Sequence, residues 1–330
     1  MANVLVTGFL HQAGRSLLDA RAGVACEYLD EATVAEIDAR IADADAVILG
    51  TTPFGADTIA RAGRLKVVSR FGVGYDNVDV AALTARGIPL AIVGDANAVT
   101  VAEHTLSLML AAARRLVVHD RETRAGSYGV RDPLAQSDLA RKTVLVVGFG
   151  RVGRRVARRC AAFEMDVVVA DPFVARETVE DEGHRHVADF RDALADADFV
   201  TLHLPGNAHG EPVLGTAEFA ALKPGAYLVN AARGSLVDED ALVDALKSGR
   251  VRGAALDVLR REPPAPDNPL LALDAVTLAP HAASMTAECM ARMSVVSAQN
   301  VLDALDGRLD PERVVNREVL RATPPHGERR

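Results

Sequence analysis

The sequence predicts an α/β protein built as two doubly wound parallel-sheet domains with a cleft between them. Short β-branched runs alternate with helix-like stretches over the first hundred residues, and the same alternation restarts after Lys142. Size agrees: 330 residues, 49% of them hydrophobic, are enough for two separate cores.

In the first domain the strand-like runs are 4–7, 46–49, 66–69 and 89–92. Residues 98–124 then read as one long, largely apolar helix, too rich in alanine and too interrupted by Glu103 and His104 for a membrane span. Residues 126–137 hold turn formers and show no period, which marks a loop or arm. The second series of strands is expected at 143–147, 166–170, 199–203, 226–229, 253–256 and 275–278. A second long helix, 285–305, follows the last of these and is expected to return the chain to the first domain. The domains are accordingly drawn as 1–97, completed by about 300–330, and 98–299, with the tail from Thr323 expected to be disordered.

A formal net charge of −8 opposes adhesion to nucleic acid and to anionic membrane, and points instead to a small-molecule partner. The three cysteines, Cys26, Cys160 and Cys289, are too scattered for a zinc site or a disulfide framework. No metal is expected, and a reducing cytoplasm is the expected setting. The first residues lack the basic segment and long apolar run of a signal peptide.

The most informative local pattern follows the run 143–147: Gly148, Phe149, Gly150, Arg151, Val152, Gly153, and then a helix-like stretch over 154–163. Gly148 permits a tight turn, Gly150 lets backbone approach a pyrophosphate, and Gly153 lets helix and strand pack closely. Phosphates would rest on the helix N-terminus, where unpaired N–H groups and the helix dipole favour an anion. The next strand ends at Asp171, eighteen positions past Gly153, where a carboxylate can accept hydrogen bonds from ribose hydroxyls. That carboxylate would repel the additional phosphate of NADP, so NAD is the expected cofactor of a Rossmann-like domain. The ordinary reading of Asp171 is a helix cap or a loop acid, and the preceding glycine motif outweighs it.

Three later segments each follow a strand: 230–239 with Arg233, 257–264 with Glu262, and 278–284 with His281. Loops at the carboxyl ends of doubly wound strands line the ligand crevice, so these three are expected to converge. An arginine fork can hold a substrate carboxylate and polarise its carbonyl. A histidine can donate or accept the proton, and a glutamate beside it favours the charged donor. Singly, each has an ordinary reading as a surface cation, a loop acid or a satisfied loop histidine. Their joint placement after strands is what argues for chemistry.

In order and spacing, the glycine loop, Asn230-Ala-Ala-Arg233-Gly, Glu262-Pro-Pro and Pro280-His281-Ala-Ala-Ser resemble the D-isomer-specific 2-hydroxyacid dehydrogenases, which include phosphoglycerate, glyoxylate/hydroxypyruvate and D-lactate dehydrogenases. The resemblance spans nearly the whole chain. It implies hydride transfer between NAD(H) and a small D-2-hydroxy or 2-oxo acid, with Arg233, Glu262 and His281 catalytic. It further implies that Asp257 and the backbone near Ala231 hold the nicotinamide carboxamide, and that His203 and Pro205 line the cofactor. Thr100, in the segment opening the long helix, is implied beside the nicotinamide. The loop from Arg70 to Asn77 is similar to the family loop whose backbone near Val73 and Gly74 grips the substrate carboxylate, and its glycines suit such an approach. Closure of the two domains over the cleft and a homodimer built through the cofactor domain and its arm are implied as well.

The chain departs from the pattern in places. It has no tryptophan, where several relatives carry one in the arm, and it ends soon after Asn316, so no regulatory domain is expected. Arg70 stands where phosphoglycerate enzymes of one type carry an arginine, yet Gly50-Thr-Thr52 offers no second cation, which disfavours a phosphorylated substrate. Formate dehydrogenases pair the histidine with glutamine, and phosphite dehydrogenases carry a lysine where this chain has Val73. An NAD(H)-sensing corepressor of the same fold is the alternative from another class, because fold does not fix function. A methyltransferase also uses a glycine turn, but leaves Arg233, Glu262 and His281 without a shared purpose.

Overall fold

The structure is a computed structural model that describes residues 1–132, 134–206 and 211–321. The expected disorder of the tail from Thr323 falls outside the described residues. The chain divides into two units, Met1–Asn97 together with the chain from Met285 onward, and Ala98–Ser284. The return therefore comes at Met285, earlier than the boundary near residue 300 drawn from the sequence. The whole helix Ala287–Leu305, N-capped by Thr286, belongs to the first unit.

The first unit is a five-stranded parallel sheet of β1 (Ala2–Thr7), β2 (Val24–Leu29), β3 (Ala46–Leu49), β4 (Val67–Arg70) and β5 (Leu90–Ala91), in the order β2-β1-β3-β4-β5. Side chains alternate across it as strand geometry requires. Val4, Val6 and Ile48 join Leu18, Ala298 and Val301 on one face, while Leu5, Val47 and Leu49 join Ile37, Phe54 and Ile59 on the other. Burial on both faces explains why these strands read as continuous apolar runs. The carboxy-terminal helix is stitched in by polar side chains. Ser294 Oγ accepts His11 N–H at 2.9 Å, Ser69 Oγ donates to Ser297 O at 3.1 Å, and Asn300 Nδ2 donates to Ile92 O at 3.1 Å. Strand β2 went unread in the sequence because VACEYL is half-buried along its length and carries a glutamate.

The second unit holds seven parallel strands: β6 (Thr143–Val147), β7 (Asp166–Ala170), β8 (Arg185–Val187), β9 (Phe199–Leu202), β10 (Ala226–Asn230), β11 (Val251–Leu256) and β12 (Val276–Leu278). Their order is β12-β11-β10-β9-β6-β7-β8. The strand order reverses between β6 and β9, the place where doubly wound sheets open a crevice at the carboxyl edge. Val144 and Val146 face one cluster with Leu106, Met109, Val156 and Cys160, and Leu145 and Val147 face a second with Leu194, Phe219 and Leu242. Three-residue β8, RHV, is a short edge strand with too little apolar pattern to read from sequence.

The long helix expected over 98–124 is two helices, Ala98–Ala113 and Leu116–Arg124. Arg115 between them adopts φ 50°, ψ 37°, the left-handed conformation that ends helices, and its N–H returns to Ala112 O at 3.2 Å. Among the described residues no helix is long and apolar enough to cross a membrane.

Gly14 shows how tightly the carboxy-terminal helix is seated. A Cβ there would stand 2.5 Å from Ser294 O, a backbone atom that cannot swing away. Gly14→Ala should therefore destabilise the first unit by about 1–3 kcal/mol. Urea unfolding with unchanged midpoint would show that the two helices are not held this close.

Candidate active site

Four loops at the carboxyl edge of the second sheet carry the residues singled out from sequence, and each is fixed by side-chain acceptors. In the first, Gly148 adopts φ +97°, a region L side chains avoid, and a Cβ there would strike His203 O at 2.6 Å. A Cβ on Gly153 would overlap Gly148 O, so only glycine lets the helix Arg151–Ala162 sit against the end of β6. Gly150 is the N-cap of that helix, has no side-chain cap, and has nothing within 4 Å of a notional Cβ. Open space above bare helix N–H groups fits a dinucleotide pyrophosphate. Arg151 is exposed on the first helical position and Val152 is half-buried against the core.

Asp171, just past β7, accepts Phe149 N–H on Oδ2 at 2.7 Å and Phe173 N–H on Oδ1 at 2.9 Å. A carboxylate offers roughly four acceptor positions, so it can hold the glycine loop and still receive ribose hydroxyls. The nearest following cation in sequence, Arg176, is paired with Glu180 at 2.6 Å, which fits NAD better than a cofactor with an additional phosphate. His203 lies under the glycine loop, its N–H on Val147 O at 2.7 Å and its Nε2 3.0 Å from Thr201 Oγ1. Pro205 is exposed and Thr100 buried.

The other three loops interlock. Asn230, buried at the end of β10, accepts Ala232 N–H at 3.0 Å and donates to Arg233 O at 2.8 Å, which shapes the turn through Ala231 that presents Arg233. The Arg233 guanidinium is half-buried, with Nη1 donating to Ala232 O at 2.6 Å. Gly234 is pressed onto the backbone of Leu259 and Arg260, where any Cβ would collide. Glu239 ties the same stretch by accepting Arg260 N–H at 2.6 Å and the Asn268 amide at 2.9 Å. Glu262 Oε1 accepts Leu259 N–H at 2.9 Å, and its Oε2 lies 2.7 Å from His281 Nδ1. The structure thus brings Glu262 and His281 together, with the imidazole half exposed.

Asp257 follows β11 directly. Its carboxylate, fully buried, accepts Ala282 N–H at 2.8 Å and Ala283 N–H at 2.9 Å, and Oδ1 lies 3.2 Å from His104 Nε2. It holds the His281 loop first of all, with about one acceptor position to spare. Burial alone would push this carboxyl up, but His104 and the two amides outweigh it and hold it below the usual range. His104, Asn230, Gly234 and Glu239 were not singled out as functional from sequence. Only Asn230, an Asn two residues before a turn, carried a local signal.

In the first unit Arg70 Nη1 donates to Phe71 O, and Gly72 adopts φ +142°. Among the described residues the N–H groups of Val73 and Gly74 have no hydrogen-bond acceptor, as a loop for an anion requires. No group of three or more His, Cys, Asp or Glu side chains among the described residues could hold a metal.

Residues 106–283 match the family described as D-isomer specific 2-hydroxyacid dehydrogenase, NAD binding domain. The chain belongs to that family. It is 42% identical over 261 residues to D-3-phosphoglycerate dehydrogenase of Archaeoglobus fulgidus, covering 79% of this chain and 49% of that protein. With glyoxylate reductase of Korarchaeum cryptofilum it shares 39% identity over 290 residues, 87% of each. A crystal structure of a Thermus thermophilus protein superposes with a TM-score of 0.86 at 34% identity, covering 95% of this chain and 99% of that one. The chain spans about half the length of the phosphoglycerate dehydrogenases it matches. The family's NAD binding domain corresponds to the second unit, where the glycine loop lies.

His203 generates a pH prediction. Burial pushes its imidazole down from the ordinary 6.5 to about 3, so between those values the unfolded chain binds the proton that the folded chain refuses. Stability is intact above pH 6.5 and is lost as the pH falls through this window. Because His203 is only half-buried, the slope stays below the roughly 1.4 kcal/mol per pH unit of a fully shielded group. From pH 7 to 5 the wild type should lose about 1–2 kcal/mol more than His203→Gln in urea unfolding. Equal losses in the two proteins would remove His203 as the cause.

Proposed function

We propose that this member of the family is an NAD-dependent dehydrogenase that interconverts a small D-2-hydroxy acid and its 2-oxo acid. The observation that carries the reading is the Glu262–His281 pair, 2.7 Å apart on loops at the carboxyl ends of β11 and β12. When bound, NAD(H) supplies or accepts the hydride. Gly148, Gly150, Arg151, Val152 and Gly153 would hold its pyrophosphate, Asp171 its ribose, and Thr100, His203, Pro205, Ala231 and Asp257 the remainder.

The chemistry left to the protein is proton transfer and charge placement. Glu262 accepts from Nδ1–H of His281, which makes Nε2 the atom that gives a proton to the carbonyl oxygen in reduction and takes it back in oxidation. Arg233 presents a guanidinium fork, whose planar geometry suits a carboxylate and polarises the adjacent carbonyl. Arg70 and the backbone N–H groups of Val73 and Gly74 are assigned to the substrate carboxylate, supported by those two amides lacking an internal acceptor.

A homodimer formed through the second unit is part of this proposal. Around a hollow of about 640 Å³ lined by Ala112, Val117, Leu134 and Leu271, the apolar side chains Leu116, Val117, Leu134 and Leu271 stand exposed. Clustered exposed apolar groups on a water-soluble surface mark a protein contact. Val117→Glu combined with Leu134→Glu should convert a dimer into a monomer in sedimentation velocity, and a wild-type monomer would end the idea.

The enzymatic reading is tested by NADH oxidation against glyoxylate, hydroxypyruvate, phosphohydroxypyruvate and pyruvate. At least one acid should be turned over, and the best kcat/KM names the substrate class. His281→Ala should lower kcat by about 10²–10⁴-fold, and Glu262→Gln by a smaller factor, with NADH still bound. NADH binding without turnover of any of these acids would overturn the proposal as stated.

A further inference from the structure

The His281 loop is held in a conformation that its own sequence does not favour. His281 has φ +54°, a left-handed position that a non-glycine residue adopts only at a cost. What holds it there is Asp257: its main-chain O accepts His281 N–H at 2.7 Å, and its carboxylate accepts the next two amides, Ala282 and Ala283. The Glu262 contact acts on the imidazole alone and does not fix this backbone.

A buried carboxylate is a poor anchor unless its charge is compensated, because it gives up its hydration. Two amide N–H groups compensate in part. The remaining neighbour is His104 of the helix Ala98–Ala113, whose Nε2 stands 3.2 Å from Asp257 Oδ1. That nitrogen is shut off from solvent and has no hydrogen-bond partner of standard geometry, so the group it faces is the Asp257 carboxylate. Nothing else in the helix–loop arrangement described gives this ring nitrogen a purpose.

We propose that His104 is a positioning residue: it holds the Asp257 carboxylate, Asp257 holds the backbone of residues 281–283, and the imidazole of His281 is thereby fixed in place. The inference rests on the reading of His281 as the proton-transfer group, but its structural half can be measured without any turnover. His104→Leu keeps comparable bulk and deletes the polar edge. His104→Gln replaces Nε2 with an amide that can donate to Asp257.

The experiment is hydrogen–deuterium exchange of the cofactor-free protein, read at the Ala282 and Ala283 amides, with thermal unfolding as a check on folding. His104→Leu should exchange at these amides about tenfold faster or more, while His104→Gln stays within about threefold of wild type. In the oxo-acid assay the same pair should separate through kcat. Unchanged protection in His104→Leu overturns the inference, and so does equal loss in the two variants. Should the wild type turn over no oxo acid, the dehydrogenase reading falls, while the exchange result still decides whether His104 holds the loop.

Discussion

A carboxylate withdrawn from water must find donors on its own chain, and the ones Asp257 finds are the backbone of the loop that carries His281. This constraint organises the second unit. Asp257 follows β11, its N–H is held by Asn230 O at the end of β10, and its carbonyl takes His281 N–H from the loop after β12. Three neighbouring strands are thus locked together beyond the point where their ladders stop. Arg233, Glu262 and His281 are carried on the loops that leave those strands, so their placement depends on the same lock.

The dinucleotide loop was legible in the sequence because everything it needs is local. Gly148, Gly150 and Gly153 lie within six residues and each answers a steric demand that the structure displays, a positive φ, an open helix end and a close helix–strand contact. The Glu262–His281 pair was legible for a different reason, since strand-end loops of one sheet converge whatever their separation in sequence. The His104–Asp257 contact had no such signal. It joins a helix to a strand end 153 positions away, and neither residue lies in a pattern that specifies the other. The helix break at Arg115 was hidden likewise, because the apolar period continues through Leu116 and Val117 although both are exposed.

The first unit shows the limit of reading domains as contiguous stretches. Its sheet would lack cover over Val4, Val6 and Ile48 if the chain stopped at Asn97, and the helix Ala287–Leu305 supplies that cover with Ala298 and Val301. The return was foreseeable from a long helix following the last strand. Its boundary was not, because the register depends on Gly14 meeting Ser294 and on polar side chains that read as surface residues in sequence.

One device recurs at the carboxyl edge of the second sheet. Loop amides have no ladder partner there, and an amide left unpaired beside a core is costly. Asp171 serves Phe149 and Phe173, Asn230 serves Ala232, Glu239 serves Arg260, Asp257 serves Ala282 and Ala283, and Glu262 serves Leu259. Four of these five acceptors are acidic, so the edge is rigid and rich in negative charge at once. An anionic ligand can then be accommodated only where donors outnumber carboxylates, at the bare N–H groups beyond Gly150 and at a guanidinium such as Arg233. The acids that shape the loops thereby also restrict where a phosphate or a carboxylate can settle along this edge.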